Sequence, residues 1–409
     1  MTAMWVFSIY FIVDGFFVSK FVGEKALSAV NIVLPFISFL LAVAICFAIG
    51  TQTIIGISLG KKEYKKANSI FSFMIISLFL ISIVISFICH FKANLLIKFL
   101  SGGRDNNLAL DYLKCLLYFA PFYIIAYIFE VLVKIDSFPK LAVVVALISA
   151  FSNIFLDYIF LSTFNLGIKG AAIATGFSQF IASVIYFVHF ALKRGKLHFV
   201  KFKNHFKLYP RILFIGAGDF LSELSTGIIV YLYNYFLYKK IGLEAIIVFT
   251  IINYISQIST VTMQGISQGI QPLVSYYYGR GDRKYIEFLK YAFLSSAIFS
   301  IFFFLASNIF AYDILKLFLT EVNSFDISSF RLYSPFFLVI GANILIIGFF
   351  ASIAKAKSAI FISLLRSIII IAPVLCIITS KYIFLSSFIT EIITLIFSLF
   401  LVARFKQAL

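Results

Sequence analysis

The chain has 409 residues, of which 62% are hydrophobic and only 12% are charged. A soluble globular protein is roughly 45–50% apolar and about 25% charged, so this composition excludes an ordinary cytosolic enzyme and a disordered chain. The net charge of +17 would suit a nucleic-acid-binding protein, but the basic residues stand in short loops between apolar segments, where cytoplasmic loops of membrane proteins collect them.

Apolar stretches of about twenty residues recur along the whole chain, and each is long enough to cross a bilayer as a helix. We therefore predict an all-α, polytopic membrane protein with twelve transmembrane helices. The predicted helices are 2–20, 26–59, 67–91, 111–134, 139–163, 168–193, 209–238, 243–278, 285–311, 326–354, 358–380 and 382–404.

The longest polar break, Lys193 to Arg211, leaves six predicted helices on either side. We predict an N-terminal six-helix lobe at 1–193, a basic cytoplasmic linker at 194–208 and a C-terminal six-helix lobe at 209–409. Of the 34 lysines and arginines, 22 fall in loops on the linker side, Arg366 included. Cytoplasmic loops carry such an excess, so we expect a multi-pass protein of a bacterial plasma (inner) membrane with both termini in the cytoplasm.

The two halves also resemble each other. A shift of 219 residues pairs Gly50, Gln52 and Gly60 with Gly269, Gln271 and Gly279. Six helices per half is an even number, so both copies enter the membrane in the same sense, and such parallel repeats tend to enclose a central cavity. The same shift would start the first helix ten residues before Met1, so we expect a shortened first helix.

Acidic residues inside the apolar segments are the candidate functional residues, because an ionised carboxylate at mid-membrane costs at least about 2.5–3.5 kcal/mol on insertion scales. Asp157 lies four residues after Asn153, so both project from one face of a helix, and Thr175 adds a hydroxyl from the next helix. Their oxygens can bind Na⁺ or support a protonated carboxyl. The same groups could instead only join helices by hydrogen bonds.

Two further acids are candidates for substrate recognition. Glu223 stands near the centre of the seventh predicted helix and could meet a cationic ligand. Glu391 lies midway along the last helix, where it could instead form a hydrogen bond between helices. We place Glu223, Asn343 and Glu391 in the substrate cavity. Cysteines and histidines lack metal-ligand spacing, so we expect no catalytic residue, no cofactor and no metal beyond Na⁺ at the Asp157 group.

Several segments resemble the multidrug and toxic compound extrusion (MATE) transporters. The segment "IVDGFFVSKFVGEKALSAV" is similar to their first-helix signature, "NIFLD" with "LGIKGAAIATGFSQ" to their fifth and sixth helices, and "GISQGIQPLVSYYYGRGD" to their eighth. The resemblance implies two six-helix lobes that alternate between outward-open and inward-open states. It also implies that Asp14, Asn153, Asp157 and Thr175 handle H⁺ or Na⁺.

The function that follows from the resemblance is cation-coupled export. We expect H⁺ or Na⁺ at Asp14 and Asp157 to drive the export of amphipathic, cationic organic compounds by a monomer that is not an enzyme. The expected partners are these small molecules and membrane lipid, without nucleic acid. A lipid-linked oligosaccharide flippase, with more basic residues within its helices, is the alternative. A membrane-embedded glycosyltransferase fits less well, because the longest loop has only 19 residues and is basic.

Overall fold

The computed structural model describes residues 2–101, 105–319 and 321–407. Within these ranges the chain forms helices joined by short connections, with no β-strand, which confirms the predicted all-α class. Eleven helical segments among the described residues are long and apolar enough to cross a membrane, by length and composition. A further helix of 20 residues precedes them.

The chain divides into two compact units, one from Thr2 to Gly216 and one from Ala217 onward. The helices of the first unit are α1 (Thr2–Phe21), α2 (Glu24–Gly60), α3 (Tyr64–Phe91), α4 (Ala93–Leu100), α5 (Asn107–Ile135), α6 (Pro139–Asp157) and α7 (Gly167–Ala191). Helix α8 (Tyr209–Lys240) begins in the first unit and continues in the second. The other helices of the second unit are α9 (Leu243–Arg280), α10 (Lys284–Ile309), α11 (Ala311–Lys316), α12 (Ser324–Tyr333), α13 (Phe336–Ser352), α14 (Ala356–Leu364), α15 (Ile371–Ile377) and α16 (Ser386–Gln407).

The tenth and eleventh predicted helices are not continuous α-helices in the structure. The tenth, predicted at 326–354, is divided into α12 and α13 at Ser334 and Pro335, since proline lacks the N–H that would continue the helical hydrogen bonds. The eleventh, predicted at 358–380, contains the π-helical segment Leu365–Ile369 between α14 and α15. Such π-helical turns inside α-helices are frequent at functional sites.

Arg366 lies in this π-helical segment, and its side chain is buried, with 9% of the residue exposed. We predicted from the charge distribution that Arg366 belongs to a cytoplasmic loop, and this prediction is wrong. The prediction failed because the residue stands inside a helix, where a buried acid compensates its charge.

Helix α5 packs at the centre of the first unit against α2, α3 and α7. The ring of Phe190 in α7 lies 4.8 Å from that of Phe71 in α3 and 5.3 Å from that of Phe129 in α5, centroid to centroid. Gly176 of α7 faces the ring of Phe119 in α5 so closely that a Cβ at this position would overlap it. The glycine therefore permits the close approach of α7 to α5 that the site described below requires.

The segment between α7 and α8 has little regular secondary structure and is bound along one face of α3. The Asn68 amide donates to the carbonyl of Lys196 at 3.2 Å and accepts from the N–H of His198 at 3.0 Å. One turn further along α3, Ser72 accepts from the N–H of Val200 at 2.9 Å. These bonds satisfy backbone groups that have no helical partners and hold the basic linker against the first unit.

In the second unit, α13 is apolar on every side and packs against α9, α10, α14 and α16. A helix that is hydrophobic all round is expected in the interior of a bundle, and here nearly every residue of α13 is buried. Tyr233 of α8 stacks on Phe249 of α9, with ring centroids 4.4 Å apart, and its hydroxyl accepts from the N–H of Ser387 in α16 at 2.8 Å.

The end of α15 is held by a lysine from α8. The ammonium of Lys240 donates to the carbonyls of Leu375, Cys376 and Ile378 at 2.7, 3.1 and 2.6 Å. The last carbonyls of a helix have no partner within the helix and carry partial negative charge, so a cation at this place stabilises the end of α15.

Candidate functional site

Asp14 and Asp157, predicted to handle cations, are brought together in the first unit. Asp14 is in α1, which packs against α6, and Asp157 is the last residue of α6, where the π-helical segment Tyr158–Thr163 begins. Asp14 is 6% exposed and Asp157 is fully buried. The two carboxyl groups are close enough for one to donate a hydrogen bond to the other when it is protonated.

The two neutral residues of the prediction lie at the same place. Asn153, one turn before Asp157 on α6, is fully buried, and its Nδ2 donates to Thr175 Oγ1 at 3.4 Å. The Thr175 side chain in turn lies within hydrogen-bonding reach of Asp14. The structure thus brings together Asp14, Asn153, Asp157 and Thr175, while their ion-binding role stays a prediction.

Tyr112 of α5 completes the group and was missed by the sequence analysis. Its side chain is 2% exposed, its hydroxyl lies beside Thr175, and it is near both Asp14 and Asp157. The sequence carries no signal for it, because no other candidate residue stands one helical turn from Tyr112 along the chain. Only the packing of α5 against α7 places it at the site.

Oxygen atoms dominate the interior of this group. Four buried oxygens have no hydrogen-bond donor among the described residues: Asp14 Oδ1, Asn153 Oδ1 and both carboxylate oxygens of Asp157. Two ionised carboxylates this close would repel each other strongly in a low-dielectric interior. Carboxylate, amide and hydroxyl oxygens are hard ligands, so a proton or a small monovalent cation is the species that the arrangement suits.

The second unit contains a cluster of a different kind around a buried acid. Glu391 Oε1 accepts from Arg366 Nε at 3.0 Å and from Arg366 Nη2 at 2.7 Å. Its Oε2 accepts from Asn343 Nδ2 at 2.6 Å. Of the residues predicted to line a substrate cavity, Asn343 and Glu391 therefore contact each other, and their contact with substrate stays a prediction.

Glu223, the third residue predicted to contact substrate, lies on α8. Its side chain is partly exposed, and its Oε2 accepts from Gln264 Nε2 of α9 at 3.4 Å. This single long hydrogen bond comes from a neutral amide, so it leaves most of the charge of the carboxylate uncompensated. Glu223 is thus not joined to Asn343 or Glu391 by any hydrogen bond found among the described residues, and its contact with substrate also stays a prediction.

Histidines, cysteines and acids build no metal centre within the described residues. Among the described parts of the chain, no group of three or more His, Cys, Asp or Glu side chains comes together in a way that could hold a metal ion. The four cysteines, Cys46, Cys89, Cys115 and Cys376, lie within the described residues and form no disulfide.

Ionisable residues inside membrane helices are rare and mark ion or substrate pathways. The helical fold and the buried acid pair thus define the class of the chain as a polytopic membrane transporter. The family model MatE matches residues 1–159 and 221–378, and the chain belongs to this family.

Relatives and solved structures agree with this assignment. The chain is 26% identical over 379 residues to the multidrug export protein MepA of Staphylococcus haemolyticus, covering 91% of this chain and 83% of the relative. It is 26% identical over 386 residues to MepA of Staphylococcus aureus strain MSSA476, covering 91% and 84%. A multidrug resistance MATE family transporter in an outward-facing conformation superimposes with a TM-score of 0.90 at 20% identity, over 100% of this chain and 94% of the other. This likeness confirms the predicted fold of transmembrane helices in two six-helix lobes.

Proposed function

We propose that this protein is a cation-coupled multidrug efflux antiporter, in which entry of H⁺ or Na⁺ drives export of amphipathic, cationic organic compounds. The observation that carries the proposal is the burial of Asp14 beside Asp157 within a membrane-spanning unit. The names of the relatives, which are multidrug export proteins, support export as the direction of transport and drugs as the substrates.

The coupling follows from the electrostatics of the acid pair. When the site holds no cation, at least one buried carboxylate bears a charge that the membrane interior disfavours. Binding of H⁺ or Na⁺ removes that charge, so the free-energy difference between two packings of the first unit depends on whether the ion is bound. An ion that binds one conformation more tightly shifts the population toward it, which is the requirement for alternating access.

Asn153, Thr175 and Tyr112 have supporting roles in this proposal. Asn153 Oδ1 and the hydroxyl oxygens can complete the coordination of Na⁺, or accept and donate hydrogen bonds around a protonated carboxyl. Glu223 is the residue that we assign to the positive charge of the substrate, because the residue is half-buried and, among the described residues, its carboxylate accepts one long hydrogen bond from the neutral Gln264 amide.

The proposal includes a location and partners. We expect the protein in a bacterial plasma membrane, with the linker of residues 194–208 and both termini in the cytoplasm, working as a monomer. Its partners would be small organic molecules and membrane lipid, with no nucleic acid and no cofactor besides the coupling ion. The charge distribution between alternate loops supports this orientation.

The test is transport of a fluorescent organic cation in proteoliposomes, with the pH gradient and the Na⁺ gradient imposed separately. The wild type should respond to at least one gradient. Asp157→Asn keeps shape and most hydrogen bonds but fixes the site as neutral, so gradient-driven transport should be lost while substrate binding remains. Asp14→Asn should have the same effect, and the double variant should be no worse than either single variant if the two acids act as one unit.

A matched control is Asp111→Asn, which removes an acid of the same unit that is 43% exposed and pairs with Lys169 at 3.3 Å. This variant should transport normally. Normal gradient-driven export by Asp157→Asn would place the coupling site elsewhere and would contradict the proposal.

A lipid-linked oligosaccharide flippase is the second candidate, since such a protein would carry basic residues within its helices. Arg366 is a basic residue of that kind. Its guanidinium is, however, paired with Glu391 at 2.7 Å, so its charge is compensated within the unit and is not offered to an anionic substrate. The observation therefore favours the antiporter.

A further inference from the structure

A closed ionic cluster lies inside the second unit. Arg366 of the π-helical segment donates twice to Glu391 Oε1, and Asn343 of α13 donates to Glu391 Oε2 and, at 2.9 Å, to the Glu391 backbone carbonyl. Ser398 of α16 donates to Asn343 Oδ1 at 3.1 Å. Tyr333 of α12 is a further titratable group near both charges. The four residues joined by these hydrogen bonds are each at most 9% exposed: Asn343, Arg366, Glu391 and Ser398.

The helices that build this cluster occupy the same places in the second half of the chain as those of the acid site in the first half. Asn343, Arg366 and Glu391 stand on the tenth, eleventh and twelfth of the predicted helices, whereas Tyr112, Asp157 and Thr175 stand on the fourth, fifth and sixth. The repeat shift of 219 residues aligns these two sets of helices. The two clusters are therefore counterparts in a duplicated architecture.

The counterparts differ in where positive charge comes from. The shift places Tyr233, Ala372, Cys376 and Thr394 at the positions of Asp14, Asn153, Asp157 and Thr175. The second unit thus has no acid at those positions, and the buried acid of its cluster, Glu391, stands one turn before Thr394 on the same face of α16. Among the described residues, the two acids of the first unit have no basic partner at hydrogen-bond distance, whereas in the second unit Glu391 is paired with an arginine.

The arginine cannot leave and cannot lose its charge. A guanidinium stays protonated at every pH that a folded protein experiences. It donates to one carboxylate oxygen of Glu391 while Asn343 donates to the other, so both oxygens are occupied. A mobile cation would have to displace these donors and would meet the positive charge of the guanidinium at the same carboxylate.

We propose that Arg366 is a tethered cation that holds the second unit permanently in the charge-compensated state, which the first unit reaches only when it binds a mobile cation. Coupling is then confined to one site, in the first unit. Replacing the guanidinium with a neutral side chain converts Glu391, Asn343 and Ser398 into a second site for a monovalent cation, H⁺ or Na⁺. The confinement of coupling rests on the proposed function, whereas the conversion by substitution does not.

The test uses the purified full-length chain in detergent and measures its unfolding equilibrium against Na⁺ concentration and against pH. NaCl is replaced by choline chloride to keep the ionic strength constant. In the Asp157→Asn background, which silences the first site, no specific Na⁺ effect should remain. Addition of Arg366→Met should create one, so that each tenfold rise in Na⁺ above the dissociation constant lowers the unfolding equilibrium constant tenfold. If the new site prefers H⁺, the same tenfold change should follow each unit of pH below its midpoint.

Two further variants identify the site. Glu391→Gln, added to Asp157→Asn and Arg366→Met, should abolish the new dependence, because the carboxylate is the ligand. The control Arg331→Met removes an exposed arginine of α12 that donates to the carbonyl of Asn308, so it should create no dependence.

The outcomes separate the two proposals. An ion effect that persists in Asp157→Asn alone would contradict the coupling site in the first unit, and the comparison of Arg366→Met with and without Glu391→Gln would still test Arg366. A folded Arg366→Met variant without a new ion effect, or with one that Glu391→Gln leaves intact, would overturn the tethered-cation proposal. If Arg366→Met fails to fold, recovery of the fold by Glu391→Gln supports charge compensation, and failure of both overturns it.

Discussion

Asp136, between α5 and α6, anchors the linker to the first unit. Its side chain is fully buried, and its Oδ1 accepts from the N–H of Leu197 at 2.7 Å while its Oδ2 accepts from His189 Nε2 at 2.9 Å. Gly195 lies against this carboxylate so closely that a Cβ would overlap it. The carboxylate therefore joins a loop, a helix end and the linker.

The decisive substitution is Asp136→Ala. It leaves the N–H of Leu197 and the ring nitrogen of His189 buried without an acceptor, and each buried unpaired group costs about 1–3 kcal/mol. The two costs sum to about 2–6 kcal/mol. Asp136→Asn should cost only about 1–2 kcal/mol, because its Oδ1 still accepts from Leu197 and its amide can donate to His189 in the other ring tautomer.

The free energy of unfolding should be measured by denaturant titration in detergent micelles for the wild type and both variants. The control Asp111→Ala removes a partly exposed ion pair and should change the free energy by at most about 1 kcal/mol. Equal losses for Asp136→Ala and Asp136→Asn, or a loss for Asp136→Ala no greater than the control, would refute the reasoning.

The pH dependence gives a second measurement on the same variants. Burial raises the pKa of Asp136 in the folded protein, although the bonds from Leu197 and His189 oppose the effect. Between the ordinary carboxyl pKa of about 3.9 and the raised value, the folded state binds more protons than the unfolded state. The wild type should therefore lose stability as pH rises through this acidic window, and Asp136→Asn should remove that part of the slope.

Three further predictions concern stability. Partial burial lowers the pKa of His205, so stability should rise as pH increases toward about 6.5, and His205→Asn should reduce that rise in thermal unfolding midpoints. In Gly50→Ala the new Cβ would overlap a backbone carbonyl of α8, so the free energy of unfolding, measured by denaturant titration, should fall by about 3 kcal/mol. The control Gly227→Ala has open space around its Cβ, so it should leave the free energy of unfolding unchanged or raise it by up to about 1 kcal/mol. Lys240→Met removes hydrogen bonds to three carbonyls at the end of α15, so the free energy of unfolding should fall by about 1–3 kcal/mol. The control Lys239→Met, at an exposed position, should change it by no more than about 0.5 kcal/mol. Equal effects of the two substitutions would contradict a stabilising role of Lys240 at the end of α15.

The helical membrane fold was predictable from the sequence because it depends on local properties. In a bilayer each backbone polar group needs a partner within its own helix, so the length of an apolar run is enough to predict a spanning helix. The grouping of Asn153 with Asp157 was equally local, since residues four apart share a helical face. Pro335 was visible as well, although the break that it makes between α12 and α13 was not predicted.

Only the tertiary structure decided which faces meet. Asp14 and Tyr112 join Asp157 because α1 and α5 pack beside α6 and α7, and the composition of these helices does not specify their neighbours. Arg366 was mistaken for a loop residue for the same reason. An arginine within an apolar run is stable only if an acid compensates it, and that acid, Glu391, stands 25 residues away on another helix. A charged residue within an apolar run of the sequence indicates that burying it costs free energy. Which residue offsets that cost depends on how the helices pack in the tertiary structure.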